Sequence, residues 1–244
     1  MKHAKAPSLP GCLLAVFAHP DDEAYRPGGT LALLAGRGVT VHLLTATRGE
    51  AGSCGDPPLC NREELPAVRE RELRCACAAL GIQPAILLDC RDGHLSEANP
   101  EQVITQILQM VRRVGAEVIL TFGPDGLSGH PDHIAIGSWA EEAFRRSDTV
   151  SELYTVAVPQ SLAKRMGMAQ VRSVPDEDIS VTVDVSPVWK RKMAAIRCHA
   201  TQVSSSPILR ASMERQQMFL STESFVRACT GNSAATFFDR LNAQ

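Results

Sequence analysis

The chain has 244 residues, enough for one large domain or two small ones, and enough to bury about 70% of its unfolded surface in a core. With 44% apolar and 21% charged residues, its composition is that of an ordinary globular protein rather than a disordered or membrane one. A formal charge of -2 leaves no excess of Lys and Arg to replace counterions along a phosphate backbone, which excludes a generally basic nucleic-acid binder.

The first 18 residues carry Lys2 and Lys5 ahead of the apolar run GCLLAVFA, in the manner of a signal peptide. Pro10 interrupts the approach, however, the run is short, and it leads straight into HPDDE with no cleavage region, so it reads as a buried strand. No apolar stretch approaches the roughly 18 residues needed to cross a bilayer, and no membrane partner is expected. Further along, short apolar runs alternate with segments of helical period. Strands are expected at 12–18, 39–45, 85–88, 118–121 and 153–158, and helices at 29–35, 62–80, 101–114 and 131–144. That alternation predicts an α/β fold of three layers, a mostly parallel central sheet with helices on both faces. On the helix over 62–80, Arg62, Glu63, Arg69, Glu70 and Glu72 form a charged stripe. Leu65, Val68, Leu73, Ala76 and Leu80 form the face that packs, and Gly81 stands where a C-terminal cap is wanted. After Pro159 the pattern loosens, with a strand expected at 179–185 and a helix from 186 to about 199 that takes Pro187 in its first turn. One domain spanning 1–244 is expected, its core at about 12–202 and the segment of about 203–244 docking on it, with the last 30 residues finishing the fold as a docked helix or lid.

The eight cysteines include no CxxC pair, so neither a zinc ribbon nor a thioredoxin-like site is present. Cys54 and Cys60 bracket the loop GDPPL, but unpaired thiols in a reduced, cytoplasmic compartment are the expectation.

Two clusters carry the chemistry. Ala18-His19-Pro20-Asp21-Asp22-Glu23 follows the first strand, and Gly129-His130-Pro131-Asp132-His133 lies between the fourth strand and its helix. In a doubly wound sheet the loops leaving the carboxyl ends of the central strands converge where strand order reverses, so the two clusters should meet. His19, Asp22 and His133 around one ion, with a position left for water, make the donor set of a catalytic zinc site. Asp21 is placed to take a proton from water and deliver it to a leaving amine, and His130, if protonated, to hold a developing oxyanion. A HPDH segment alone could merely start a helix, with Pro131 at its first position and Asp132 favourable to the helix dipole. Three consecutive acidic residues beside a His at the end of a buried strand are costly unless paired or bound to a metal.

These motifs, together with Gly28-Gly29-Thr30, Thr47-Arg48-Gly49-Glu50-Ala51-Gly52, Asp92-Gly93 and His199-Ala200-Thr201-Gln202, resemble the LmbE-like, PIG-L-type metal-dependent N-acetylglucosaminyl deacetylases over roughly 12–202. The resemblance implies a Rossmann-like sheet and a zinc-dependent hydrolase that takes the N-acetyl group from a small N-acetylglucosamine-containing molecule. It assigns the ligands His19, Asp22 and His133, the base Asp21 and the oxyanion partner His130. It further implies Arg48 and Asp92 as substrate contacts and admits a homo-oligomer. Ferrous iron suits the same donors as zinc. Ser128 stands where some members carry a Tyr, Tyr25-Arg26-Pro27 is bulkier than usual ahead of the paired glycines, and the 54–60 segment is individual to this chain. An amidase acting on a larger acyl group of an amino-sugar conjugate is the alternative within the class, and a non-catalytic sugar- or metal-binding protein the alternative outside it. No GxGxxG turn follows the first strand and no GxSxG elbow is present, which sets aside dinucleotide-dependent and serine-hydrolase chemistry.

Overall fold

The computed structural model describes residues 11–230 and 236–238. Its centre is a sheet in the order β3-β2-β1-β4-β5-β7-β6. Strands β1 (Cys12–Phe17), β2 (Thr40–Thr47), β3 (Ile86–Cys90), β4 (Val118–Phe122) and β5 (Glu152–Ala157) are mutually parallel. Strands β6 (Val181–Asp184) and β7 (Thr222–Thr230) complete the sheet, with β7 antiparallel to both of its neighbours. Parallel strands covered on both faces read as unbroken apolar runs, and every residue of β1 and β4 is buried.

The first helical stretch runs through α1 (Asp22–Tyr25), α2 (Gly28–Gly36) and α3 (Leu65–Leu80). Between β3 and β5 come α4 (Pro100–Val114), α5 (Gly126–Gly129) and α6 (Pro131–Arg146). Beyond β5 lie α7 (Gln160–Met166), α8 (Trp189–Cys198), α9 (Ala200–Val203), α10 (Pro207–Arg210) and α11 (Met213–Leu220). Helices α2, α3 and α8 pack on one another, while α4 and α6 form a second group. The caps follow local chemistry: Asn99 accepts from the N–H groups of Glu101 and Gln102 ahead of α4, and Gly81 and Gly115 close α3 and α4 in the left-handed conformation. Strand order reverses between β1 and β4, so the loops at their carboxyl ends open into one crevice.

Three expectations are revised. Within the stretch expected as a docked helix or lid, the described residues supply the end of α11 and then the nine-residue strand β7 between β5 and β6, while positions 231–235 and 239–244 lie outside the described residues. The strand escapes a pattern search because its Glu223 and Ser224 are buried, which removes the alternation of apolar and polar residues. The Glu223 carboxylate accepts from the N–H groups of Gly29 and Thr30 at the start of α2, at 2.8 and 2.7 Å, and pairs with the fully buried Lys192 of α8 at 2.6 Å. The thiols are not all free: Cys75 of α3 and Cys198 of α8 form a disulfide with Cα atoms 5.6 Å apart, although 123 positions separate them in sequence. Cys54 and Cys60 are unpaired.

The charged stripe of α3 is the third revision. Arg69 and Glu72 are buried on the same face as Leu65, Leu73, Ala76 and Leu80. Each has a polar partner inside. Arg69 donates to the carbonyls of Gly49 and Pro20 and to Asp21, and Glu72 accepts from the N–H and hydroxyl of Thr201.

Candidate functional site

The loop after β1 places each residue of its acidic motif on a different partner. Asp21 adopts φ 111°, a conformation that L residues rarely hold, and its side chain reaches the buried Arg69 guanidinium at 3.1 Å. The carboxylate of Asp22 turns back to accept from the His19 N–H at 2.8 Å. Glu23 is fully buried, accepts from the Asp21 N–H at 3.0 Å and binds His199 Nε2 at 2.6 Å. Burial would remove charge from His199, but the Glu23 carboxylate more than offsets this and raises its pKa.

On the facing loop, His133 in the first turn of α6 stacks flat on Phe122, ring centroids 4.0 Å apart. The two motifs, 114 positions apart, meet: His19 Nδ1 lies 3.2 Å from His133 Nε2, and Asp22 oxygens lie 3.6 Å from the first and 3.4 Å from the second. Donors about 2.0–2.2 Å from one ion at tetrahedral angles stand roughly 3.3 Å apart. The hydrogen bonds behind the rings fit the same use. The carbonyl of Gly126 can only accept, so the His133 Nδ1–H donates to it at 3.1 Å and Nε2 is left with a lone pair. His19 Nε2–H donates to Asp92 at 2.9 Å and Asp132 at 3.2 Å, which leaves the lone pair on Nδ1. Two nitrogen lone pairs thus face each other with one Asp22 oxygen beside each, an arrangement that a proton or a cation satisfies, and His19 and His133 also group with His130 as three possible metal donors. Carboxylates behind metal-binding imidazoles serve to fix tautomer and ring orientation.

The electrostatics follow from this layout. Burial disfavours charge on His19, but its bonds to Asp132 and Asp92 and the Asp22 charge outweigh that and raise its pKa to about 10. Burial likewise opposes ionisation of Asp92, yet His19 and the Ala51 N–H pull it down to about 2. Asp21 goes the other way: desolvation raises it to about 6 against the pull of Arg69.

Sequence-expected residues separate here into two groups. His19, Asp21, Asp22, Asp92, His130 and His133 line one cleft of about 290 Å³ together with Arg69 and Gln202. His130 packs edge-on to His19 and stacks on His133, and its Nδ1 accepts the Asp132 N–H at 3.2 Å. Burial and the neighbouring His133 and His19 rings lower its pKa. Arg48 is not in the cleft. Its guanidinium pairs with Asp89 at 2.7 Å and with Glu70, in a separate hollow shared with Glu50 and Arg91. Glu50, in turn, accepts from the Asp92 N–H at 2.8 Å rather than pairing with Arg48.

Sequence reasoning missed Arg69, Glu72 and the supporting role of Asp132. The first two repeat with Leu65 at helical spacing, a signal that charge obscured. Asp132 was read as a helix-dipole residue. It also accepts from the N–H groups of Gly93 and Leu95, tying the 92–95 loop to His19. Gly49, at φ 70°, owes its identity to Arg69, since a Cβ there would lie 2.0 Å from the Arg69 Nη1. Gln202 fastens the 49–54 loop by bonding both the N–H and the carbonyl of Ser53.

Comparison with known proteins agrees with the geometry. Residues 14–144 match the family model described as PIG-L, GlcNAc-PI de-N-acetylase. A 1D-myo-inositol 2-acetamido-2-deoxy-alpha-D-glucopyranoside deacetylase of Acidothermus cellulolyticus is 32% identical over 232 residues, covering 79% of this chain and 80% of the relative. A probable N-acetyl-alpha-D-glucosaminyl L-malate deacetylase of Bacillus cereus is 33% identical over 196 residues, covering 79% of this chain and 84% of the relative. Among solved structures, N,N'-diacetylchitobiose deacetylase from Pyrococcus horikoshii superposes with a TM-score of 0.69 at 20% identity, over 89% of this chain and 83% of that one, and so shares the fold. A family match over more than half the chain, and relatives above 30% identity along most of their own length, establish that the chain belongs to the PIG-L family.

Proposed function

We propose that the protein is a metal-dependent hydrolase that removes the N-acetyl group from a small molecule containing N-acetylglucosamine. The observation that carries this reading is Asp21: a carboxylate held at φ 111° beside the three-donor cluster, facing the cleft, and needed by no ligand set. A protein that only bound an ion or a sugar would need it only as a counter-charge for Arg69.

His19, Asp22 and His133 would hold the ion, for which zinc and ferrous iron are the candidates the donors favour. When bound, such an ion polarises a carbonyl and makes water nucleophilic near neutral pH. Asp21, with a pKa of about 6, is ionised at neutral pH and accepts the proton of the attacking water, then returns it to the departing amine. His130 offers Nε2–H to the oxygen on which charge develops, as a neutral donor. Asp92 and Arg69 border the same cleft among the backbone of Ala51, Gly52 and Gly93, a lining suited to sugar hydroxyls. Asp92, already engaged with His19, couples the sugar to a ligand. The inositol and malate glucosaminides named for the relatives above are the first substrates to try.

The chain acts as one unit over 1–244 in this reading, and a homo-oligomer is compatible with it. Among the described residues no helix is long and apolar enough to cross a membrane. A cytoplasmic setting suits a small-molecule hydrolase, and the Cys75–Cys198 disulfide is the observation that weighs against it. Free-amine release from the two conjugates, before chelation, after it and on return of zinc or ferrous iron, tests the function. Release that stops and recovers is the expected result; release indifferent to chelation contradicts a metal-dependent reaction.

A further inference from the structure

Glu23 and His199 stand behind the cleft rather than in it: neither lines it, and both side chains are fully buried. Joined at 2.6 Å across 176 positions, they are an ionisable pair in the interior, where apolar residues of similar volume would pack at no loss of stability. His199 adds a further cost, because its Nδ1 is buried with no partner among the described residues. Packing alone does not account for such a pair.

The contact on the far side of Glu23 does. Its Oε1 accepts from His199 Nε2–H at 2.6 Å, and its Oε2 accepts from the Asp21 N–H at 3.0 Å. Asp21 stands at φ 111°, which costs a non-glycine residue about 1–3 kcal/mol, and a hydrogen bond to a charged group contributes about 1.5–3 kcal/mol. One such bond is comparable to the strain it opposes, so its loss is enough to release the backbone. Without His199, Oε1 would be a buried charge lacking a donor, and Glu23 would take up a proton or turn away, loosening the Asp21 N–H in either case. The anchor itself is fixed. His199 follows Cys198, which is bridged to Cys75 of α3, and Thr201 is held by Glu72 of the same helix at 2.8 and 2.7 Å. Arg69, which holds the Asp21 carboxylate at 3.1 Å, also belongs to α3. Both ends of Asp21 are thus referred to one helix.

We propose that His199 is a positioning residue: through Glu23 it holds the Asp21 backbone at positive φ and so aims the Asp21 carboxylate at the cleft. This rests on the hydrolase reading above, in which Asp21 is the base. His199 bonds none of the three ligands, so its loss should spare metal binding.

The test compares three variants. His199→Gln keeps an amide N–H where Nε2–H stands, His199→Asn has an amide too short to reach Glu23, and His199→Leu fills the space without a donor. In the metal-free protein, hydrogen exchange at the Asp21 amide should quicken at least about tenfold in His199→Asn and His199→Leu and stay within about threefold of wild type in His199→Gln. Turnover is then measured on the inositol and malate N-acetylglucosaminides with zinc content determined alongside. Since a misplacement of about 1 Å can cost a hundredfold, kcat per bound zinc should fall about thirtyfold in His199→Asn and His199→Leu, with KM within about threefold, and recover in His199→Gln. In an Asp21→Asn background the same substitutions should cost less than about threefold, because no base is left to aim, whereas a merely structural role would cost as much in both backgrounds. Unchanged exchange, unchanged turnover in whichever of His199→Asn and His199→Leu folds, or an equal loss in both backgrounds would overturn the positioning role and leave the hydrolase reading standing. Wild type that binds zinc and releases amine from neither conjugate would overturn the hydrolase reading, and the positioning role with it.

Discussion

Asp21 holds a positive φ that costs a non-glycine residue about 1–3 kcal/mol, and it persists because Glu23 grips its N–H and Arg69 its carboxylate. Opposing influences set its ionisation: desolvation raises the pKa and the Arg69 charge lowers it, leaving it at about 6. Turnover that needs the ionised form should therefore rise with pH through this range and level off above it. Removing the guanidinium takes away the influence that favours the anion, so Arg69→Gln should move the acid limb of kcat/KM upward by about one pH unit. A pH–rate profile of the variant checks the sign. At Arg48 the outcome is reversed. Its ion pairs with Asp89 and Glu70 hold it outside the cleft, so Arg48→Ala should change KM less than threefold, within about 0.6 kcal/mol as for an exposed pair.

Among the elements, α3 joins the packing to the chemistry. Its buried face carries Arg69 toward the β1 loop and Glu72 toward Thr201, and Cys75 ties it to the end of α8, one residue before His199. By loop-closure entropy, a bridge across 123 positions stabilises by up to about 5 kcal/mol. Cys75→Ser should lower Tm, and wild type with reductant should melt like the variant. Strand β7 anchors α2 and α8 through Glu223. Glu223→Gln, which strips the fully buried Lys192 of its counter-charge, should cost about 3–5 kcal/mol in urea unfolding. Much of this was legible beforehand. Periodicity located β1 to β5 and the main helices because their apolar runs are long and their caps conventional. The motifs singled out His19, Asp22 and His133, which the fold brings together, because their residue types stand out against the buried strands and helix that carry them. Illegible were the interior charges. Arg69, Glu72 and Glu223 lie where a hydrophobicity pattern expects apolar residues, and their partners are backbone groups or residues remote in sequence. Cys75 and Cys198 carry no motif, and only the packing of α3 on α8 brings them together.

For the molecule as a whole, the sheet acts as a frame that sets two loops 114 positions apart face to face at the β1/β4 switch point. In the absence of an ion His19 retains a proton, its pKa raised to about 10, and metal binding must expel it. Affinity for zinc should therefore fall about tenfold for each unit that pH drops below neutrality, with about one proton released at pH 7, measurable by titration calorimetry in buffers of different ionisation enthalpy. In the proposed mechanism Asp21 stands outside that ligand set, and this separation of binding from turnover would distinguish an enzyme from a metal store. The most direct test is to measure metal content and amine release together for wild type, Asp21→Asn and His19→Ala. Asp21→Asn should keep its metal and lose at least about a hundredfold in kcat, the scale of general acid–base catalysis, while His19→Ala should lose both metal and activity. An Asp21→Asn protein that retains full turnover would contradict the mechanism.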